Sequence, residues 1–294
     1  MSKVALIDGD SILYKVGFAL EEEIENEDGT VTHFVDFANA KDFIDGMIDG
    51  ILFNTDCDNA ELWVGERGAN FRYKLAADNL ADNYKYNRKD SRKPDKYKEM
   101  LAYIKKKYKS MSPLNCEVDD VVCYKLAEKP DEYVLCAIDK DVLYQSVGRH
   151  YNYGKDEWVT VTQEEALYFA YFQTLTGDTT DGYKGCRLIG PAKAIAALGV
   201  PNGNSKMLLD ILKKGKVKPE KIKELMKGSQ HSERTLWAKV LLCYRKAKMK
   251  KSDAYTTMRL AQMHQLSRNS KGKLRIKFWT PPKKGEELID ALKF

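Results

Sequence analysis

The sequence predicts an α/β fold: a central, mostly parallel sheet flanked by helices. Three observations lead there. Ala5–Ile7, Leu62–Val64 and Val134–Ile138 lie in short apolar runs of the kind that form fully buried strands. Each run is followed by an acid, at Asp8, Glu66 and Asp139. Helical stretches separate the runs. Adjacent parallel strands bring their carboxyl ends together, and open α/β sheets bind ligands at that edge.

Composition narrows the function classes. The 294 residues suit one large domain or two modest ones. Hydrophobic residues make up 43% and charged residues 31%, so a substantial core sits under a heavily charged surface. Net charge is +6, and its distribution matters more than its sum. The six cysteines at 57, 116, 123, 136, 186 and 243 form no CxxC pair, which argues for a reducing, cytoplasmic compartment. The four histidines are scattered and support no zinc site. Met1-Ser2-Lys3 leads straight into a strand, so no signal peptide is read, and no run approaches the ~18 apolar residues of a membrane span.

Along the chain, Val4–Ile7 delivers Asp8-Gly9-Asp10-Ser11 at a strand end; Asp-Gly is equally an ordinary turn. Residues 21–33 are acidic and read as a hairpin or loop around Asp28-Gly29. Phe43, Met47, Ile48 and Ile51 predict a helix over about 40–53. Ala60–Glu66 is the second strand. From Lys85 to Lys109 there are eleven Lys/Arg against three acids, with tyrosines at 84, 86, 97, 103 and 108. A solvated helical face is the plain reading of such a run. The interleaved tyrosines favour a cationic wall that tracks phosphates and offers stacking surfaces for bases.

Asn115 reads as the N-cap of a helix whose first turn holds Glu117, Asp119 and Asp120. Glu117 and Asp120, three apart, share one face. Such acids are also common partners of the helix dipole. Val134–Ile138 is a strand ending in Asp139 and Asp141, which in extended chain point the same way. Strands follow around 151–153 and 158–161. Thr162 and Glu165 form a capping box for a helix through about Thr174. Asp178 and Asp181 precede a turn with glycines at 185 and 190, and Pro191 suits the first turn of a new helix. This is either a bare helix–turn–helix corner or a place where backbone N–H groups meet phosphates at a helix N-terminus. Residues 206–251 are helical, with fifteen Lys/Arg against four acids, and Lys271–Trp279 alternates like a strand.

In type and order these pieces resemble the 5′-nuclease, or flap endonuclease, family, most of all the stand-alone bacteriophage 5′→3′ exonucleases. The resemblance runs from about residue 3 to 200. It rests on Ile7-Asp8-Gly9, Tyr84-Lys85-Tyr86-Asn87-Arg88, Glu117-Val118-Asp119-Asp120, Asp139-Lys140-Asp141 and Gly177-Asp178-Thr179-Thr180-Asp181. It implies a PIN-like catalytic core over 1–173, with a helical arch within about 67–112. Over 174–294 it implies a helix–three-turn–helix and a basic helical region. Asp8, Glu66, Glu117, Asp119 and Asp120 correspond to a first metal cluster, and Asp139, Asp141, Asp178 and Asp181 to a second. Lys85 and Arg88 correspond to catalytic cations at the scissile phosphate, working with Asp8, Glu117 and Asp139. Tyr84, Lys89, Arg92, Lys93, Lys184, Gly185, Gly190 and Lys193 join them as DNA contacts.

The implied cofactors are Mg²⁺ or Mn²⁺, two ions, with K⁺ at the helix–three-turn–helix turn. The implied partner is DNA with free 5′ ends, nicks or flaps, or an RNA/DNA hybrid, bound by a monomer in the cytoplasm of a host cell. Three features depart from the family pattern. Glu66 stands where many members have Asp, Leu188 where glycine is expected, and Pro191-Ala192 shifts the following lysine. Asp10 has no fixed role in the pattern and reads as an outer-sphere ligand or a helix cap.

The implied chemistry is phosphodiester hydrolysis assisted by divalent ions, with no histidine or serine nucleophile and a 5′-phosphate product. Two rivals are a non-catalytic branched-DNA-binding protein and a haloacid-dehalogenase-type phosphatase. The latter is suggested by Asp8-Gly9-Asp10 but leaves the basic wall without a purpose. RNA processing by a PIN-type relative is a third.

Overall fold

The structure, a computed structural model, describes residues 3–65, 70–79, 84–88, 91–201, 206–228, 232–283 and 286–288. In chain order the first elements are β1 (Val4–Asp8), α1 (Asp10–Leu20), β2 (Glu22–Glu25), β3 (Val31–Phe34), α2 (Phe37–Thr55), β4 (Asn59–Trp63), α3 (Phe71–Asn79) and α4 (Tyr97–Lys107). Then come α5 (Val118–Glu128), β5 (Tyr133–Cys136), α6 (Lys140–Gln145), β6 (Gly148–Asn152), β7 (Glu157–Val161) and α7 (Gln163–Thr176). The last are β8 (Gly177–Asp178), β9 (Tyr183–Lys184), α8 (Pro191–Leu198), α9 (Lys206–Lys214), α10 (Pro219–Leu225), α11 (Glu233–Lys246), α12 (Lys251–Ala261), β10 (Leu266–Arg268) and β11 (Leu274–Ile276).

The chain forms two compact units: residues 1–69, 90–143 and 148–160 in the first, 70–89, 144–147 and 161–294 in the second. This differs from the expected division after residue 173. The reason is α7. Its buried residues, among them Tyr168, Phe169, Tyr171, Phe172 and Leu175, surround the helix on all sides. A helix apolar all round is a core helix, and α7 is the core of the second unit.

The first unit is built on a sheet of order β4-β1-β5-β6-β7. β1 is parallel to both neighbours, with Asp8 opposite Trp63 and Ile7 opposite Cys136. Ala5, Leu6 and Ile7 are wholly buried, as a central strand covered on both faces requires. The carboxyl end of β1 therefore lies between the ends of β4 and β5, which is the expected arrangement. Ile12 and Val16 of α1, Ile44 and Ile48 of α2, and Met100 and Ile104 of α4 complete this core. The expected hairpin at 21–33 forms as antiparallel β2 and β3.

Two local expectations change. Asn115 does not cap the helix after it: it adopts φ 62°, and Glu117 is the N-cap of α5. Asp139 and Asp141 do not extend a strand. β5 ends at Cys136 and α6 starts at Lys140. The Asp139 carboxylate accepts the Asp141 amide at 2.7 Å, so it starts a helix rather than continuing the ladder.

In the second unit, the Thr162–Glu165 capping box forms with both of its bonds, and Pro191 occupies the first turn of α8. Wholly buried Arg72 on α3 donates from Nε to the Leu260 carbonyl and from an η nitrogen to that of Gln262, each at 3.0 Å. These are carbonyls at the end of α12, where a cation meets the negative pole of the helix. Arg72→Met keeps the bulk but removes the donors. It should cost about 3 kcal/mol in urea unfolding, the scale of leaving buried carbonyls unpaired; an unchanged midpoint would exclude this role.

Candidate active site

In the first unit the sheet edge gathers acids. Asp8 is 2% exposed. Its Oδ1 accepts the Asp10 amide and its Oδ2 the Ser11 hydroxyl, both at 3.1 Å. The Tyr153 hydroxyl donates to the Asp8 carbonyl at 2.9 Å. Burial, then the charges of Asp10 and Asp139, push the Asp8 carboxyl from 3.8 up to about 7. The two hydrogen bonds offset only part of this. Asp10 and Asp139 are thus close enough to disfavour the charge of Asp8.

α5 packs on β1 and carries Glu117, Asp119 and Asp120 on its first turn. Glu117 and Asp120 make a reciprocal capping box, with the Glu117 amide 3.0 Å from Asp120 Oδ2. Asp120 is wholly buried, and Asp119 half-buried. Asp141 is buried, with Lys140 Nζ 2.7 Å from its Oδ1. Glu66 and Lys89 lie outside the described residues.

Hard carboxylate oxygens crowded at one sheet edge suit a divalent cation such as Mg²⁺, and a carboxyl raised to about 7 by burial and by its neighbours gains from a counter-cation. Among the described residues, no three His, Cys, Asp or Glu side chains are already drawn together as a finished ligand set. The carboxylate chemistry fits the ion, which keeps several waters of its own.

In the second unit, residues 84–88 dock on the 178–182 turn. Tyr84 donates its hydroxyl to Asp181 Oδ2 at 2.6 Å. Arg88 reaches Asp181 Oδ1 at 2.9 Å and Lys85 Nζ lies 3.5 Å from the same atom. Asn87 and Arg88 also bond the Thr179 and Thr180 carbonyls, at 2.7 and 3.1 Å. Buried Asp178 accepts the Thr180 and Asp181 amides through Oδ1 and the Gln173 amide through Oδ2. The four acids expected as a second cluster fall two in each unit, Asp139 and Asp141 in the first, Asp178 and Asp181 in the second.

Several expected DNA contacts change. Tyr84 is 1% exposed, stacked on Tyr183, so it offers no open face to a base. Tyr97 is buried too, and Tyr103 and Tyr108 both give their hydroxyls to Asp45 at 2.6 Å; Tyr86 is the exposed one of the five. Arg92 holds Glu21 in a bidentate pair at 2.7 and 2.6 Å, which keeps the Glu21 carboxyl below its usual range. That pair fixes the chain ahead of α4 to the end of α1, a structural use of the fork. Lys93 is exposed, its ammonium 3.6 Å over the Tyr97 ring.

Gly185 is explained by packing: a Cβ there would lie 2.3 Å from the Gly177 nitrogen. Gly190, the N-cap of α8, has open space around it, and Lys184 and Lys193 are exposed nearby in sequence. Leu188 takes φ 63°, a left-handed conformation fitting the glycine the family pattern expects, and Lys193 Nζ donates to its carbonyl at 3.0 Å. Ser11, Asn87, Tyr153 and Gln173 were not among the expected site residues. Ser11 and Asn87 sit inside the motifs themselves, but Tyr153 and Gln173 reach Asp8 and Asp178 only through folding.

No protein-family model matches the chain. It is 25% identical over 302 residues to the exodeoxyribonuclease of Enterobacteria phage T3, covering 95% of this chain and 93% of that protein. To the exonuclease of Escherichia phage T7 it is 25% identical over 300 residues, with the same coverage. Its fold is shared with the bacteriophage T5 flap endonuclease crystallised as a pseudo-enzyme–product complex with DNA and metal ions. There the TM-score is 0.53 at 13% identity, over 89% of each chain.

The Asp8 environment has a pH signature. A carboxyl raised from 3.8 to about 7 keeps its proton in the native state to a higher pH than in the unfolded chain. Its contribution to stability is full below about pH 4 and is lost as pH rises through about 7. Metal-free Asp8→Asn should therefore exceed the parent by about 2–4 kcal/mol at pH 8 and match it at pH 4. Urea titrations at both pH values check this. No gain at pH 8 would refute the crowding.

Proposed function

We propose that this chain, a relative of the phage exonucleases with the fold of a phage flap endonuclease, is a divalent-metal-dependent 5′→3′ exonuclease and structure-specific flap endonuclease. We assign it DNA phosphodiesters as substrate, Mg²⁺ or Mn²⁺ as two-ion cofactor, and 5′-phosphate products. One observation carries the reading most directly: Asp8 is buried at the carboxyl edge of a parallel sheet and crowded there by Asp10 and Asp139.

Asp8, Asp139 and Asp141, with Glu117, Asp119 and Asp120, would hold the metal, much of it through water. When bound, the metal supplies positive charge that acidifies an attacking water and offsets charge on the leaving oxygen. The protein's own oxygens are already oriented: Asp8 by the Asp10 amide and Ser11, Asp139 by the Asp141 amide. Lys85 and Arg88 are the cations that meet the extra negative charge of the phosphate in the transition state. They are held in place beforehand by Asp181, so they pay little reorganisation when that charge appears.

Around Gly190, the N-terminus of α8 with Lys184 and Lys193 suits a duplex backbone, whose phosphates position without conveying sequence. A K⁺ at this turn would meet a Leu188 carbonyl already occupied by Lys193. Action as a monomer in a host cytoplasm, on nicks, flaps and RNA/DNA hybrids, belongs to the same proposal. The phosphatase reading loses ground because the relatives matching 95% of the chain are exonucleases.

The decisive experiment digests 5′-labelled duplex, nicked and flapped DNA with and without Mg²⁺. Asp139→Asn and Asp141→Asn should each abolish cutting while DNA binding persists; full activity in either removes it from the catalytic set. Lys85→Ala should slow turnover about 10²–10³-fold, the cost of a lost transition-state contact. An unchanged rate excludes that role.

A further inference from the structure

The ladder between β1 and β4 outlasts the strands. The Gly9 amide donates to the Trp63 carbonyl at 2.8 Å, one step past Asp8. Two residues on, the Gly65 amide points to the same side, because its neighbour Val64 turns its own amide to the Met111 carbonyl on the other. In a parallel ladder that Gly65 amide would find a backbone carbonyl of the adjoining strand. Here the adjoining chain has already turned into α1. The carboxylate of Asp10, the first residue of α1, supplies the acceptor instead, 2.7 Å from the Gly65 nitrogen.

The same residue works in the opposite direction. Its amide donates to Asp8 Oδ1. Asp10 thus joins the end of β4 through its side chain and the Asp8 carboxylate through its backbone. The fit is close: a Cβ on Gly65 would stand 2.6 Å from Asp10 Oδ2. Burial and then the charge of Asp10 raise the Tyr97 phenol at the start of α4, so the half-buried Asp10 carboxylate acts on that ring as well.

We infer that Asp10 is a positioning residue, a side-chain rung that continues the β1–β4 ladder and thereby fixes where Asp8 presents its carboxylate to a divalent ion. It is neither a ligand nor a simple helix cap. A cap satisfies amides of its own helix, whereas this carboxylate satisfies one on a neighbouring strand. The inference rests on the metal-dependent reading of the site.

The test uses the full chain and Mn²⁺ alone, titrated by calorimetry, beside Mg²⁺-dependent cleavage of a flapped duplex. Asp10→Ala removes the rung. Gly65→Ala removes no oxygen and no charge but forces the rung open. Both should weaken Mn²⁺ binding about 10-fold or more, the usual cost of losing a ligand-orienting partner. Both should also raise the Mg²⁺ needed for half-maximal cleavage while leaving KM for DNA in place. Asp10→Asn keeps an acceptor oxygen and should recover most of the Mn²⁺ affinity lost in Asp10→Ala.

Mn²⁺ binding at the parent level in both Asp10→Ala and Gly65→Ala overturns the inference. So does Asp10→Asn binding as weakly as Asp10→Ala, since the charge rather than the rung would then matter. If the parent chain binds Mn²⁺ with this dependence on the rung but cuts no DNA, the positioning role stands and the nuclease reading falls. If it cuts while the rung variants bind Mn²⁺ normally, the reverse holds.

Discussion

Burying a carboxylate among other carboxylates is the constraint around which the first unit is organised. Asp8 loses water because β1 is an interior strand of a sheet covered on both faces, and it gains two acidic neighbours because helices start at Asp10 and just after Asp139. Folding without a counter-cation therefore works against itself at this point. The core built on Ile12, Val16, Ile44 and Ile48 supplies the stability that tolerates the conflict. Under the proposed metal-dependent reading, a bound cation would relieve this conflict and add to stability.

The same acids serve a second purpose. Glu117 and Asp120 cap α5 reciprocally, Asp139 receives the amide of Asp141 at the start of α6, and Asp178 receives two amides of its own turn. Each arrangement fixes the side chain through the backbone. Acid-rich helix starts and catalytic acids are commonly offered as competing explanations. Here one set of hydrogen bonds satisfies orphan amides and orients the carboxylates at once.

The second unit applies the same logic to positive charge. Lys85 and Arg88 rest on Asp181, Tyr84 donates to that carboxylate from a buried position, and Asn87 ties the segment to the Thr179 carbonyl. The short run Tyr84–Arg88 thereby acquires a fixed geometry that a lysine-rich, solvated stretch would lack. Arg92 shows the opposite fate. Its fork is spent on Glu21, so a residue of the same charge a few positions along holds the chain in place.

The sequence by itself determined the α/β class, β1 as a buried parallel strand delivering Asp8, the Thr162 capping box and Pro191 at the start of α8, and it offered a hairpin as one of two readings of 21–33. These follow from local periodicity, burial and turn chemistry, which neighbouring residues encode. It also picked out the acid-bearing motifs. The tertiary structure decided which side chains are spent on one another: Tyr84 and Arg88 on Asp181, Arg92 on Glu21, Tyr103 and Tyr108 on Asp45, Asp10 on the amide of Gly65. It also placed α7 in the core of the second unit and made Glu117 rather than Asn115 the cap of α5. Those outcomes join residues dozens of positions apart or depend on which of several equivalent donors reaches an acceptor first, and residue type and spacing carry no such distances.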